Sequence, residues 1–359
     1  MQLSSRFILA QKSARHSTFL LRETNWPSFV ALNVSHDLKA ALKDRARELG
    51  FVACGVAAAG PSQSASRLEA WLNNNFEASM AWMKRPDAVE KRADIELLFP
   101  GAKSVVCVAF PYATDEEWNS EEMGNIARYA RGLDYHDFLP ARLRELLAWL
   151  QLQVECEGKV CVDTAAVLER EWAVRSGLGW IGKNTLLMGR DFGSYVLLGE
   201  LILNIQLEPD APHLEQFCGN CTRCLDACPT EALVEPRVLD SNKCIAFHTI
   251  ENRELAPKNL REKFGDWVFG CDICQQVCPW NQKAARDEKF SLEPELWTRP
   301  AMPKLKEWTA IEQSEFSQRL KGSPIKRTKR RGMKRNAARA LRNRRGAEEQ
   351  RRKQDEPDA

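Results

Sequence analysis

No stretch of this sequence approaches the roughly 20 apolar residues that a membrane helix requires. The longest candidate, "YVLLGELILNIQL", carries Glu200 and Asn204 inside it. Nothing resembles a secretory signal either, so the 12 cysteines are not expected to form the disulfide framework of an exported protein. Acid is almost missing from the first 35 residues, which are rich in Ser and Arg. That is the composition of a transit peptide. The simpler reading is a poorly ordered extension or a start codon placed too early, and residues 1–35 are set apart from the fold.

What is present is a chain of 359 residues, 44% hydrophobic, enough for about two domains. Its cysteines are unevenly placed. Cys54, Cys107, Cys156 and Cys161 lie scattered in apolar or mixed surroundings and read as packing residues, whereas eight fall between Cys218 and Cys278. The segment "CGNCTRCLDACPTEAL" places Cys218, Cys221, Cys224 and Cys228 before Pro229. This is the bacterial ferredoxin spacing, in which three thiolates serve one 4Fe-4S cube and the fourth serves a neighbouring one. A second run, "CDICQQVCPWN", supplies Cys271, Cys274 and Cys278, but Val268 stands where its first cysteine belongs. Counting thiols gives one cluster to Cys218, Cys221, Cys224 and Cys278. The other takes Cys228, Cys271 and Cys274, with the lone Cys244 as its fourth ligand. Paired zinc sites also use C-x2-C, but two triplets each trailed by Cys-Pro are not a zinc-ribbon pattern.

Two clusters need far fewer residues than this chain has, so something upstream must use the electrons. From His36 to Glu208 helical and strand-like patterns alternate. Helices are expected at "HDLKAALKDRARELG", around "SRLEAWLNNNFEASMAWMKR", at "PARLRELLAWLQLQVEC" and at "AAVLEREWAVRSG". Strands are expected at "KSVVCVAFPY", "KVCVDT" and "GSYVLLGELILNIQL". Within this region "GLGWIGKNT" spells G-x-G-x-x-G and nearly a Walker A motif. A helix rather than a strand precedes it, so nucleotide binding does not follow. In "DYHDFL", Leu139 replaces the glycine of the cobalamin motif D-x-H-x-x-G, and no histidine ligand follows from it.

The formal charge is only +3, but Lys321 to Arg345 holds twelve basic residues and no acid. Met333, Ala337, Ala338 and Leu341 are expected on one helical face, with cations on the other. The simplest reading is phosphate contact, with Lys326, Arg327, Arg330, Arg331, Lys334 and Arg335 as candidates.

The segments "EKRADIELLFPGAKSVV", "RYARGLDYHDF", "VDTAAVLEREWAVRSGLGWIGKNTLL", "FGSYVLLGELI", "KCIAFHTIENR" and "GSPIKRTKRRGMKRNAARAL", together with the two cysteine runs, resemble the epoxyqueuosine reductase family in order and spacing over residues 38 to 345. The resemblance implies an α+β fold: a nitroreductase-like cobalamin-binding domain over 36–212 and a two-cluster bacterial-ferredoxin-like domain over 213–285. A helical, basic tRNA-contacting segment over 286–345 and a charged tail over 346–359 would follow. It also implies a cytoplasmic, monomeric oxidoreductase completing queuosine synthesis on tRNA, with base-off cobalamin, two 4Fe-4S clusters and an external flavodoxin- or ferredoxin-like one-electron donor. Carried over, Asp163 is the proton donor at a strand end, where burial could keep it protonated, and it also lines the cobalamin site. Tyr135 and Arg170 orient the substrate, and Arg92, Lys183, Asn184, Thr185 and Ser194 are the cobalamin contacts. An ordinary helix N-cap is the competing reading of Asp163. A reductive-dehalogenase-like enzyme of small molecules and a non-catalytic electron carrier are the competing functions. The longer helical repeats of some relatives are missing.

Overall fold

The computed structural model describes residues 36–113, 120–284, 296 and 302–355. Its centre is a four-stranded antiparallel sheet of β1 (Ala53–Ala58), β2 (Ser104–Pro111), β3 (Gly158–Cys161) and β4 (Val196–Leu203), in the order β1-β2-β4-β3. All eight residues of β2 are buried, as a β-branched and aromatic run in the middle of a covered sheet should be.

Alternation across the strands sends side chains to two separate cores. On one face Val106, Val108, Leu201 and Leu203 meet α1 (His36–Glu48) and α2 (Tyr135–Gln153), whose Leu139, Leu143, Leu146 and Leu150 recur at helical spacing. On the other face Cys107, Cys161 and Ile202 meet Trp172 and Ala173 of α3 (Glu169–Arg175).

Three of the four strands fall where the sequence places them. The fourth, β1, is "ACGVAA", without the bulky residues that mark strands. Its Gly55 admits the end of α3: a Cβ there would lie 2.0 Å from the carbonyl oxygen of Ser176. The helix expected over "AAVLEREWAVRSG" is shorter, because Asp163 takes a left-handed φ of 52° and the helix begins only at Glu169. Asp163 is therefore not its N-cap. Similarly, Ala65–Asn73 is helical, but left-handed residues at Asn75 and Ala78 end that run before a short 3-10 turn at Ala81–Met83.

A third core joins the cysteine-rich region to the C-terminal helices. Val268 and Phe269, from a short strand paired with Asn125–Ile126, pack with Trp308, Phe316 and Ile325. Met333, Ala337 and Ala340 of α4 (Lys329–Asp355) complete it. Val268 is fully buried there, which explains why no thiol occupies the place the ferredoxin spacing would give one. The apolar face of α4 differs from the expected one: Ala338 is exposed and Ala340 is buried, since residues 333, 337 and 340 keep the 3.6-residue period. Among the described residues no helix is long and apolar enough to cross a membrane.

Candidate active site and metal centres

Asp163 follows β3 directly, and its strained backbone turns the carboxylate into the open, with the side chain 53% exposed. Burial is thus not what supplies a proton here. A neighbour does: His136, in the first turn of α2, sets Nε2 3.0 Å from Asp163 Oδ2 and Nδ1 2.7 Å from Asp134 Oδ1. Hydrogen bonds to Asp134 and then Asp163 push the imidazole up to about 9, so both nitrogens donate at neutral pH. Tyr135 stacks on the ring at 4.1 Å and hydrogen-bonds Asp163; burial, then the Asp163 charge, raises its phenol far above the usual range.

The start of α3 closes the other side. Glu169 Oε1 accepts from the Asp163 backbone N–H at 2.6 Å, and burial followed by the Asp163 charge holds its carboxyl above the ordinary range. Arg170 donates from Nη1 to the carbonyl of Thr185 at 2.6 Å, tying α3 to the loop at 182–186, where Thr185 itself has a left-handed φ of 72°. The Arg170 side chain is exposed. Tyr135 hydrogen-bonds Asp163, and Arg170 follows Glu169, which holds the Asp163 backbone.

The five expected cobalamin contacts are not equivalent. Lys183 donates from Nζ to the carbonyls of Gly219 (2.7 Å) and Cys221 (3.0 Å), bracing the first cysteine loop against the loop at 182–186. Ser194 is buried, with its N–H donating to Asn281 Oδ1 at 2.6 Å and its hydroxyl within reach of Gln275 and Asn281. Asn184 is buried and accepts from the N–H of Leu186. Arg92 is half-buried on the helix Pro86–Ala93 and donates to the carbonyl of Ala88. Thr185 stays half-buried at the loop tip. Lys183, Asn184 and Ser194 build the loop and its junction with the cysteine-rich region, whereas Arg92 is bonded within its own helix. A separate cavity of about 480 Å³, lined by Lys43, Arg47, Cys54 and Asp210, is not part of this site.

The eight clustered thiols separate into two sets. Burial and then Cys218 push Cys224 up to about 11, with Cys278 adding to it; Cys278 in turn is raised by burial and by Cys218 and Cys221. Cys244, Cys271 and Cys274 are raised by burial, and beyond that Cys244 feels Cys228 while Cys271 and Cys274 each feel Cys244. Cys274 also feels Cys224 of the other set, so the two lie side by side. Backbone N–H groups point at the sulfurs: Ala232 donates to Cys228 at 3.3 Å, and Phe247, Ile273 and Trp280 donate to Cys244, Cys271 and Cys278. Anionic iron–thiolate centres use such donors, so the donor set fits. Among the described residues no three His, Cys, Asp or Glu side chains close on one point as a single metal ion needs. A cube gives each thiolate its own iron.

Of the expected phosphate ligands, Lys326, Arg327 and Arg331 are exposed and Lys334 is half-buried. Arg335 instead donates to the carbonyls of His248, Asn252 and Glu254, holding α4 in place, and Arg330 is turned toward Ile311 and Glu312. The N–H of Asp134 donates to the carbonyl of Gly322 at 2.8 Å, so the basic segment abuts the catalytic candidates. Sequence reasoning missed His136 and Glu169. The histidine was visible in "DYHDFL", but as part of a broken cobalamin motif rather than as the partner of a distant carboxylate.

Comparison with known proteins places these features. A family described as epoxyqueuosine reductase QueG, DUF1730 matches residues 92–164, and one described as a 4Fe-4S double cluster binding domain matches 217–281. An epoxyqueuosine reductase of Synechocystis sp. is 44% identical over 278 residues, covering 77% of this chain and 94% of its own. That of Gloeobacter violaceus is 42% identical over 312 residues, covering 84% and 95%. A crystal structure of epoxyqueuosine reductase with a tRNA-Tyr epoxyqueuosine-modified stem loop superposes with a TM-score of 0.76 at 34% identity, over 86% of this chain and 82% of that one. The structure of the enzyme from Streptococcus thermophilus gives 0.74 at 30% identity, over 86% and 81%.

Proposed function

This chain belongs to the epoxyqueuosine reductase family, and from that premise we infer that it reduces epoxyqueuosine to queuosine at the wobble position of tRNA, the last step of queuosine biosynthesis. The observation that carries the reading is the junction at Lys183. One ammonium joins the first cysteine loop to the loop that Arg170 ties to α3, so the cysteine region and the helix start that holds Asp163 meet at one loop.

Removing the epoxide oxygen as water consumes two electrons and two protons. The thiol sets Cys218, Cys221, Cys224, Cys278 and Cys228, Cys244, Cys271, Cys274 are the proposed ligands of two 4Fe-4S clusters, recharged one electron at a time by an external flavodoxin- or ferredoxin-like donor. Cobalamin held beside the loop at 182–186 would supply a strongly reducing and nucleophilic cobalt. The chain's own residues do the rest. Asp163 delivers a proton to the departing oxygen, and His136, hydrogen-bonded to it, replaces that proton. Tyr135 and Arg170 frame the substrate, while Glu169 fixes the Asp163 backbone by accepting its N–H.

The small-molecule alternative is disfavoured by the exposed Lys326 and Arg331 in the segment that meets Asp134 through Gly322, cations that a small neutral substrate has no use for. A monomer acting in the cytoplasm, where tRNA is modified, completes the proposal. It is tested by anaerobic reconstitution with iron, sulfide and cobalamin, followed by incubation with epoxyqueuosine-containing tRNA. Queuosine in the digested nucleosides supports it; intact epoxyqueuosine with both cofactors bound overturns it.

A further inference from the structure

Among the described residues, Trp82 is the aromatic member of the exposed large apolar side chains, at 40% exposure. It sits in the 3-10 turn Ala81–Met83, in a region otherwise rich in charge. One side of its indole is occupied: the guanidinium carbon of Arg327 lies 5.3 Å from the ring centroid. Arg327 is itself fixed, with Nε and Nη2 donating to the two carboxylate oxygens of Glu251 at 2.8 and 2.9 Å. A bidentate clamp on a planar cation holds both planes in orientation. The pair is also near the chemistry. Arg327 senses the charge of Asp163, and its segment carries the Gly322 carbonyl that accepts from Asp134.

With an immobilised arginine against one side of the indole, its exposed part is left to meet a planar partner. Exposed Lys326 adjoins Arg327 in sequence and exposed Arg85 follows Trp82 by three positions, cations that suit a polyanionic partner. We propose that Trp82, clamped by Arg327 and Glu251, is a stacking platform for a single-stranded nucleobase that flanks the modified nucleotide in the anticodon loop. The platform rests on the tRNA reading above and adds to it a base-binding subsite. Reading a base by its π-face needs no particular sequence, and single-stranded loops present such faces where duplex RNA does not.

Stacking and phosphate neutralisation leave different signatures. Removing a stacking partner weakens binding without releasing fewer counterions, so affinity falls at every salt concentration and the log-log slope stays as it was. The test compares wild type, Trp82→Phe and Trp82→Ala, each carrying iron-sulfur clusters and cobalamin. Binding of a fluorescein-labelled anticodon stem-loop is followed by anisotropy across salt, together with the tRNA concentration that half-saturates conversion. Trp82→Ala should weaken binding by about tenfold or more, with the salt slope and the iron and cobalamin contents of wild type, and Trp82→Phe should recover most of the affinity. Wild-type binding by Trp82→Ala overturns the platform while leaving the tRNA reading intact. Loss of cobalamin from a Trp82→Ala protein that still binds stem-loop overturns it too, because the indole then serves the cofactor. A wild-type protein that neither binds stem-loop nor converts tRNA overturns the substrate reading and the platform together.

Discussion

His136 and Asp163 lie 27 positions apart in sequence, yet Nε2 of one stands 3.0 Å from Oδ2 of the other. The imidazole is pinned from behind by Asp134 at 2.7 Å and held up to about 9 by these two carboxylates. A proton therefore resides one hydrogen bond from the proposed acid throughout the neutral range. The folded-state value is above the ordinary one for histidine, so the protonated ring is present at neutral pH and is lost as pH rises through about 9. Single-turnover conversion should decline through that range, and His136→Asn should lose the decline along with most of the rate. A wild-type profile that stays flat well above the histidine's raised value would contradict the assignment.

Asp163→Asn keeps the size of the side chain and removes its acid. Turnover should fall by a factor of about 100 or more, the usual range for a general acid. Cobalamin and iron contents should stay at the wild-type level, because Lys183 and the cysteines are untouched. Near-normal conversion in a single turnover moves the proton-donor role to Tyr135 or Asp134.

Iron content separates the thiols. Cys244→Ala should lower iron from about eight to about four per chain and weaken the broad visible absorption, as removal of one ligand opens one cube. Cys54→Ala and Cys107→Ala should leave the count alone. Cys107 is buried in one core of the central sheet and Cys54 packs against the other, so neither is placed as a ligand. Unchanged iron in Cys244→Ala would refute the second ligand set.

Glu200 is fully buried in β4, opposite Cys107 of β2 and Cys161 of β3, and neither of its carboxylate oxygens has a hydrogen-bond partner. Burial and then Glu169 hold it well above the usual range, hence neutral. Below the unfolded carboxyl value of about 4.3 both states keep the proton. Above it only the folded state does, so wild-type stability falls with rising pH by up to about 1.4 kcal/mol per unit until the folded group ionises. Glu200→Gln should remove that dependence, and the variant should melt higher than wild type by a margin that widens from mildly acidic to mildly alkaline buffer. Parallel melting curves across pH would show that Glu200 is ionised in the fold.

Within the basic segment the arginines should divide by what they touch. Replacing Lys326, Arg331 and Lys334 with Gln should flatten the salt dependence of tRNA binding by roughly 0.7–0.9 log units for each phosphate left without its cation. Arg335→Ala should act on stability instead, leaving carbonyls of His248, Asn252 and Glu254 without their donor at about 1–3 kcal/mol for each that stays buried. An unaltered salt slope in the triple variant would identify the segment as solvated surface.

The cysteine sets could be read from the chain because thiol spacing fixes cluster geometry almost without reference to the rest of the fold. Strands β2 and β4 were legible for a similar reason, since their buried apolar runs have one physical use. β1 was not, because its small residues are chosen by the approach of α3 to Gly55, a tertiary fact. His136 was hidden for the same cause, since it acts on Asp163 only after β3 and α2 have been brought together; the contact of Glu169 is local and depends on the left-handed turn at Asp163. The hydrogen bonds by which Lys183 and Ser194 brace the cysteine-rich region were hidden as well, since their partners Gly219, Cys221 and Asn281 are remote in sequence. The basic segment is helical as expected, but its seat on a core shared with Ile126, Val268 and Phe269 was not legible. The predicted boundaries around residues 1–35 and most of 285–301 lie outside the described residues.

The central claim is that this chain carries out an epoxide reduction on tRNA, with electrons from the clusters and a proton from Asp163. It is tested most directly by nucleoside mass spectrometry of epoxyqueuosine-containing tRNA after anaerobic incubation with the reconstituted protein and a chemical reductant. The account predicts that the modified nucleoside becomes lighter by the mass of one oxygen atom in wild type and hardly at all in Asp163→Asn. Epoxyqueuosine left unchanged by a wild-type protein with both clusters and cobalamin in place would contradict it.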